Sequence, residues 1–538
     1  MSTGTGFGAA DDRARASRRP RLRGRRALAG AVVALAALLT SACLPFGTSG
    51  SGATVASPAA PPAVAVPSGS ADPAPFYQQT VDWQPCPAYD GFDCATVVAP
   101  LDWADPGSGQ IHLAVIRHRA SGGTSQGTIL VDPGGPGASG VDFVGGSLSF
   151  AVGPALSSAY DIVGFDPRGV GSSSAVRCLD DAGMDHYLFD VVPGQRGSEE
   201  WLQAAQAAAA AFREACVQNT GPLLGHIDTD SAARDMDLLR ALVGSPKLDY
   251  LGYSYGTLLG ARYAQLFPQN VGRMVLDGVV DPAASMFDLV KAQTIGFDRA
   301  LRSYLSSCIA ASNCPVPVTS VDDGMSQLAA LAAALDAQPL TAADGRQLDG
   351  SVLFTAIATT LYDKQSWPYL TSLIRDVRSG SAKIAMQLAD LYFDRDAQGH
   401  YTSNETVALT TIDCLDYPVS RDLDQLHEQA AELIQLSPVV GPYMGYGDIA
   451  CWDWPYPAAA RGPITAQGLP PILLLGTSND PATPIEMARS LATQLPGSVL
   501  VSYDGDGHTA YNKSNQCVQS AVDDYFLDGS LPQQGLVC

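Results

Sequence analysis

Short apolar runs closed by glycine or proline recur between Val81 and Pro282, with helix-like stretches between them. IHLAVIRHRA (111–120), GTILVDPGG (127–135), YDIVGFDPRG (160–169), LDYLGYSYG (248–256) and VGRMVLDGVVDP (271–282) read as strands ending in loops. SAARDMDLLRALVG (231–244) has the period of an amphipathic helix. Continuous apolar strands separated by helices imply a mostly parallel sheet covered on both faces, hence an α/β fold. From Ala283 to Tyr456 the pattern changes to the helical runs SQLAALAAALDAQ, SVLFTAIATTLYD and LHEQAAELIQL, broken by Trp, Tyr and Pro clusters. Strand-like segments resume in PPILLLGTSNDPATP and SVLVSYDGDGHTAY. The expected organisation is a core in two parts, 76–282 and 457–538, interrupted by a helical cap over 283–456.

The first 75 residues follow neither pattern. A basic stretch, RRPRLRGRR, precedes an uncharged run from Ala27 to Ala42, which is the layout of an export signal over 1–42. The pairs Arg18-Arg19 and Arg25-Arg26 leave the export route open. Leu39 to Cys43 resembles a bacterial lipobox, so Cys43 is a candidate for lipidation, with cleavage after Ala42 and no lipid as the alternative. The Pro-, Ala-, Ser- and Gly-rich residues 43–75 read as a disordered tether. A membrane contact is expected only through that lipid.

With 46% hydrophobic and 16% charged residues, the chain is neither disordered nor polytopic in a membrane. Beyond residue 26 it has 24 basic and 52 acidic side chains, a net charge of −28. No nucleic-acid partner is expected, because phosphate binding needs clustered Lys and Arg. Eleven cysteines less Cys43 leave ten, an even set that in an exported chain reads as disulfides. Pairing consecutive cysteines gives 86–94 (Cys86, Cys94), 178–216 (Cys178, Cys216), 308–314 (Cys308, Cys314), 414–451 (Cys414, Cys451) and 517–538 (Cys517, Cys538) as the simplest set. No CxxC pair supports a zinc site.

The candidate chemistry begins at GYSYG, Gly252 to Gly256, between the apolar LDYL and the helix-like TLLGARYAQLF. This is the form and context of a nucleophile elbow, in which flanking glycines let a sharp strand-to-helix turn expose the serine. Ser254 is the expected nucleophile. It needs a base and an orienting acid. Of seven histidines, His508 sits in a glycine-containing loop after a late strand, where the Ser, acid, His order of this fold puts the base. Asp480 in GTSNDPATP is the favoured acid; Asp277 in MVLDGVVDP is its rival, and Asp277 and Asp281 also suit turn or capping roles. The loop VDPGGPGASG offers unobstructed N–H groups, so the oxyanion donors are expected to be the amides of Gly135 and Tyr255. A phosphate loop does not fit, since no Lys-Ser/Thr follows the glycines. Asp166 and Arg168 in GFDPRGVGSS read as a structural turn that buttresses the site.

These residues resemble the proline iminopeptidase branch of the α/β-hydrolases, whose HGGPG loop corresponds to PGGPG here, with Pro133 in place of the histidine. TIDCLDYP, CWDWP, GTSNDPATPIEMA and GHTAYNKSNQC are more specifically similar to the secreted tripeptidyl aminopeptidases of actinobacteria, over roughly Trp83 to Cys538. The resemblance implies a serine exopeptidase that releases short peptides, typically tripeptides, from free N-termini, with peptides as partners. It also implies an α-ammonium site, for which Asp416 and Asp413, flanking Cys414 in the insertion, are the candidates. We expect an exported monomer that needs no metal or cofactor. A carboxylesterase with the same triad, and an inactive hydrolase-fold binding protein, are the alternatives.

Overall fold

The computed structural model describes residues 63–538. The expected signal peptide, Cys43 and the first part of the tether lie outside the described residues. In chain order the strands are β1 (Gln84–Pro85), β2 (Asp93–Pro100), β3 (Gln110–His118), β4 (Thr128–Asp132), β5 (Asp161–Phe165), β6 (Leu248–Tyr253), β7 (Val271–Asp277), β8 (Leu340–Thr341), β9 (Gln347–Leu348), β10 (Leu473–Asn479) and β11 (Val499–Asp506). Nine of them form one sheet in the order β1-β2-β3-β5-β4-β6-β7-β10-β11; β8 and β9 make a separate hairpin.

The six strands from β5 to β11 are parallel. β1, β2 and β3 extend the sheet antiparallel at one edge. Burial follows this division. TILVD and DIVGF are buried at every position after the first, whereas β3 alternates along most of its length, as a strand with one wetter face does. β1 and β2 were not among the strands read from the sequence. The sheet order brings the C-terminal ends of β4, β6, β7 and β10 side by side, where loops on a parallel sheet form sites.

Part of the stretch expected as a tether packs against the fold. Val64 and Val66 pack against the main core, and Phe76, in the helix Ala74–Tyr77, is fully buried. Apolar side chains between the prolines give residues 64–75 surface to bury, so this described part of the expected tether packs on the core.

The insertion builds a hydrophobic core of its own, from Phe297 to Val440, and Phe189 joins it from before the elbow. Trp201 and Leu202 of the helix Glu199–Thr220 likewise pack with Leu426 and Ile449. The lid is thus discontinuous, drawing on residues 181–220 that the sequence pattern assigned to the core. Conversely, Val407, Ala408, Ile412 and Leu415, on the helix Glu405–Asp416 of the insertion, belong to the core under the sheet. All five disulfides join the consecutive pairs, Cys86–Cys94, Cys178–Cys216, Cys308–Cys314, Cys414–Cys451 and Cys517–Cys538.

Candidate active site

β6 runs into the helix Tyr255–Leu266 through Ser254, whose backbone is held at φ 53° and ψ −124°. A non-glycine residue rarely adopts a positive φ, and here the surroundings fix it: Ser254 N–H donates to Asp277 O at 2.9 Å, and Thr257 N–H donates to Ser254 O at 2.9 Å. The flanking glycines are required by contact. A Cβ on Gly252 would lie 2.4 Å from Gly256 O, and one on Gly256 would lie 2.8 Å from Asp132 O.

The oxyanion loop follows β4 and touches the elbow. Gly134, at φ 102°, would drive a Cβ to 2.5 Å from Tyr253 O and 2.9 Å from Tyr255 N. Gly134 N–H donates to Asp132 Oδ1 at 2.9 Å, while the amides of Gly135 and Tyr255 carry no hydrogen bond to any acceptor among the described residues. Both residues line the cavity that also holds Ser254 and His508. Asp132 is a buried group that the sequence reading passed over; burial pushes its carboxyl up to about 8, and its Oδ2 has no partner. Asp166 accepts from Ser139 Oγ at 2.6 Å, Val141 N at 3.0 Å and Ser172 N at 2.7 Å, tying the far end of that loop to the next strand. Arg168 is fully buried in a two-pronged pair with Asp235, at 2.7 Å on each prong. Both therefore brace the site from behind.

His508 Nδ1 lies 2.9 and 3.0 Å from the two carboxylate oxygens of Asp480. Asp480 is fully buried yet also accepts from the amides of Ala482 (2.9 Å), Thr483 (2.8 Å) and Thr509 (3.0 Å). Burial alone would raise its pKa; the charge of His508 and these donors outweigh burial and hold it below the usual carboxylate range. With Nδ1 directed at Asp480, the other ring nitrogen is left for the cavity. No hydrogen bond joins Ser254 Oγ to His508 among the described residues, though both line the same cavity. Two neighbours of His508 were not anticipated. Thr483 Oγ1 lies 3.2 Å from Nδ1, and Tyr362 of the lid accepts the His508 N–H at 2.9 Å and sets its ring edge-on, centroids 5.3 Å apart.

The cavity measures about 720 Å³. Its walls are mainly apolar, with Phe297, Phe354 and Leu409 from the insertion and Val280 from the core. Three acids, Asp394, Glu405 and Asp413, line it, and among the described residues no Lys or Arg does. Of the two expected amine anchors, only Asp413 reaches this wall. Asp416 is turned away, accepting from Thr229 N at 2.9 Å and from Thr229 Oγ1, which leaves its carboxylate satisfied by the core. Asp394 and Glu405 carry no sequence signal that separates them from solvated surface acids.

The C-terminal region, residues 437–538, matches a family model described as TAP-like protein. The chain is 31% identical to the tripeptidyl aminopeptidase of Streptomyces coelicolor, across 85% of this chain and 86% of that protein. The chain belongs to the tripeptidyl aminopeptidase family. Within this family it is also 32% identical to serine protease Hip1 of Mycobacterium tuberculosis, across 86% of this chain and 92% of that one. To carboxylesterase B of the same species it is 37% identical, across 93% and 98% respectively. A serine hydrolase with the α/β-hydrolase fold is what these family members have in common with the chain.

Proposed function

We propose that this serine hydrolase is an exported exopeptidase that releases short peptides, tripeptides by analogy with its relatives, from free N-termini. The observation that carries the reading is the charge of the cavity: three carboxylates and, among the described residues, no Lys or Arg line it around Ser254. In a low-dielectric chamber an unbalanced negative wall favours a substrate carrying a positive charge, and every free peptide N-terminus is an ammonium. A cavity of about 720 Å³ suits a short peptide end and not a folded chain. Five disulfides support work in an oxidising compartment.

In this reading Ser254 Oγ attacks the scissile carbonyl while His508 takes its proton through Nε2. The tetrahedral oxyanion accepts from the amides of Gly135 and Tyr255. His508 then returns the proton to the leaving amine, and water repeats the cycle on the acyl-enzyme. Asp480 holds the imidazole orientation throughout.

The similarity to carboxylesterase B and the apolar walls favour a second reading, an esterase with the same triad. Comparing a tripeptidyl p-nitroanilide with its N-acetylated form decides between them. The exopeptidase reading expects at least a tenfold preference for the free amine, lost together with all turnover in Ser254→Ala; equal rates on the two substrates overturn it.

A further inference from the structure

Glu405 opens the helix Glu405–Asp416, and that helix is seated on the oxyanion loop as closely as glycine permits. A Cβ on Gly137 would lie 2.8 Å from Glu405 O and 3.0 Å from Ala408 Cβ; one on Gly135 would lie 3.3 Å from Glu405 Oε1. The preceding residue pins this start to the core. Asn404 Nδ2 donates to Gly169 O (2.9 Å) and Val176 O (3.0 Å), and its Oδ1 accepts from Gly171 N–H (2.9 Å). Ser403 Oγ accepts the Glu405 N–H at 3.3 Å and donates to Asp394 at 2.7 Å. Glu405 therefore stands on a rigid support beside the oxyanion loop, as a residue that selects substrate must.

Its carboxylate faces the cavity and accepts no hydrogen bond from any described residue. Burial pushes its carboxyl up to about 7, and the charge that acts on it, that of another acid, Asp394, works in the same direction. The other acids of the helix are better served. Asp416 has Thr229, and Asp413, about 12 Å further along the helix axis, has the positive charge of Arg461 nearby. Glu405 alone of the three has neither a donor nor a cation, so an arriving cation supplies what the folded chain does not.

We infer that Glu405, supported by Asn404 and Asp394, receives the α-ammonium of the peptide substrate and is the residue that makes the enzyme require a free N-terminus. This assignment rests on the exopeptidase reading and moves the amine site from the Asp413–Asp416 pair to the start of the same helix. The measurement is the ratio of kcat/KM on a tripeptidyl p-nitroanilide to that on its N-acetylated form, in wild type, Glu405→Gln, Glu405→Asp and Asp413→Asn. Losing a charge-assisted contact is expected to lower the ratio ten- to a hundred-fold in Glu405→Gln, mainly through KM on the free amine. Glu405→Asp recovers part of the loss, and Asp413→Asn lowers the ratio by less than Glu405→Gln does. Fluorophosphonate labelling of Ser254 and the melting temperature show that each variant is folded. A wild-type ratio near one overturns the exopeptidase reading and this assignment together. A high wild-type ratio that survives Glu405→Gln, or collapses in Asp413→Asn, overturns this assignment alone.

Discussion

Asp480 and Asp277 stand at the ends of adjacent parallel strands, β10 and β7, yet only Asp480 reaches His508. Asp277 turns to the chain just beyond the histidine, where its carboxylate accepts from Ala510 N at 2.9 Å and Tyr511 N at 2.7 Å. One acid orients the imidazole and the other holds the loop that carries it. The sheet decides which does which, because each carboxylate has its own set of donors within reach.

The two acids should separate experimentally. Asp480→Asn is expected to lower kcat by about 10³–10⁴-fold with little change in melting temperature, because an amide leaves the imidazole in the wrong tautomer. Asp277→Asn should show mainly lost stability, about 1–3 kcal/mol, from buried N–H groups left poorly paired. Steady-state kinetics and thermal melts on both variants check this; a reversed pattern would reassign the triad acid to Asp277.

Gly134→Ala tests the contact between oxyanion loop and elbow. Its Cβ would sit 2.5 Å from Tyr253 O on backbone at φ 102°, so the loop must move. Displacing one oxyanion donor is worth about 10²–10³-fold in kcat. Burst kinetics with an activated ester should show acylation slowed by that factor, with KM much less affected.

The stability of the protein should fall as pH rises through neutrality. Asp132 is pushed up to about 8 and Asp413 and Glu405 to about 7, chiefly by burial. Unfolded, such groups titrate at about 4. Between about pH 4 and 8 the folded chain therefore holds more protons than the unfolded one, and stability declines with rising pH. Asp480 works in the opposite sense: its depressed pKa gives stability that is present above about pH 4 and lost in stronger acid. We expect melting temperatures to peak near pH 5 and to drop by several degrees at pH 8, a drop made smaller by Asp132→Asn. A melting temperature that climbs steadily from pH 5 to 8 would refute the assignment.

Lipidation of Cys43, proposed from the lipobox-like LTSAC, has a direct test. In a host that lipidates exported proteins, Cys43→Ala should move the protein from the membrane fraction to the medium. Retention of the variant on membranes would count against the lipid.

Much of the site was legible along the chain because its signals are local. An apolar run, a glycine-flanked serine and a helix-like sequence suffice to describe the elbow; Gly252 is forced locally, by Gly256 O and the Tyr250 ring, whereas Gly256 is forced by Asp132 from β4. The order Ser254, Asp480, His508 is likewise a property of the chain as written, whereas the cysteine pairing is settled by the structure, which joins consecutive neighbours. Other features had no local signature. β2 lacks the glycine-closed form of the central strands, and the residues 181–220 read as part of the core until Phe189, Trp201 and Leu202 are seen packed into the lid.

The sequence by itself determined the fold class and singled out the candidate nucleophile, base and favoured acid, with consecutive cysteine pairing as the simplest disulfide set, because strand and helix periods, steric demands for glycine and chain order are written within a few residues of each group. Tertiary structure alone decided where the acids point. Asp413 and Asp416 are three residues apart on one helix, yet one faces the cavity and the other is taken up by Thr229, which lies 187 residues away in the chain. Glu405 looks like any solvated acid at a helix start until the fold sets it against Gly135 with no hydrogen-bond donor to its carboxylate among the described residues. A carboxylate's role depends on which donors and cations surround it, and those arrive from strands and helices that only folding brings together.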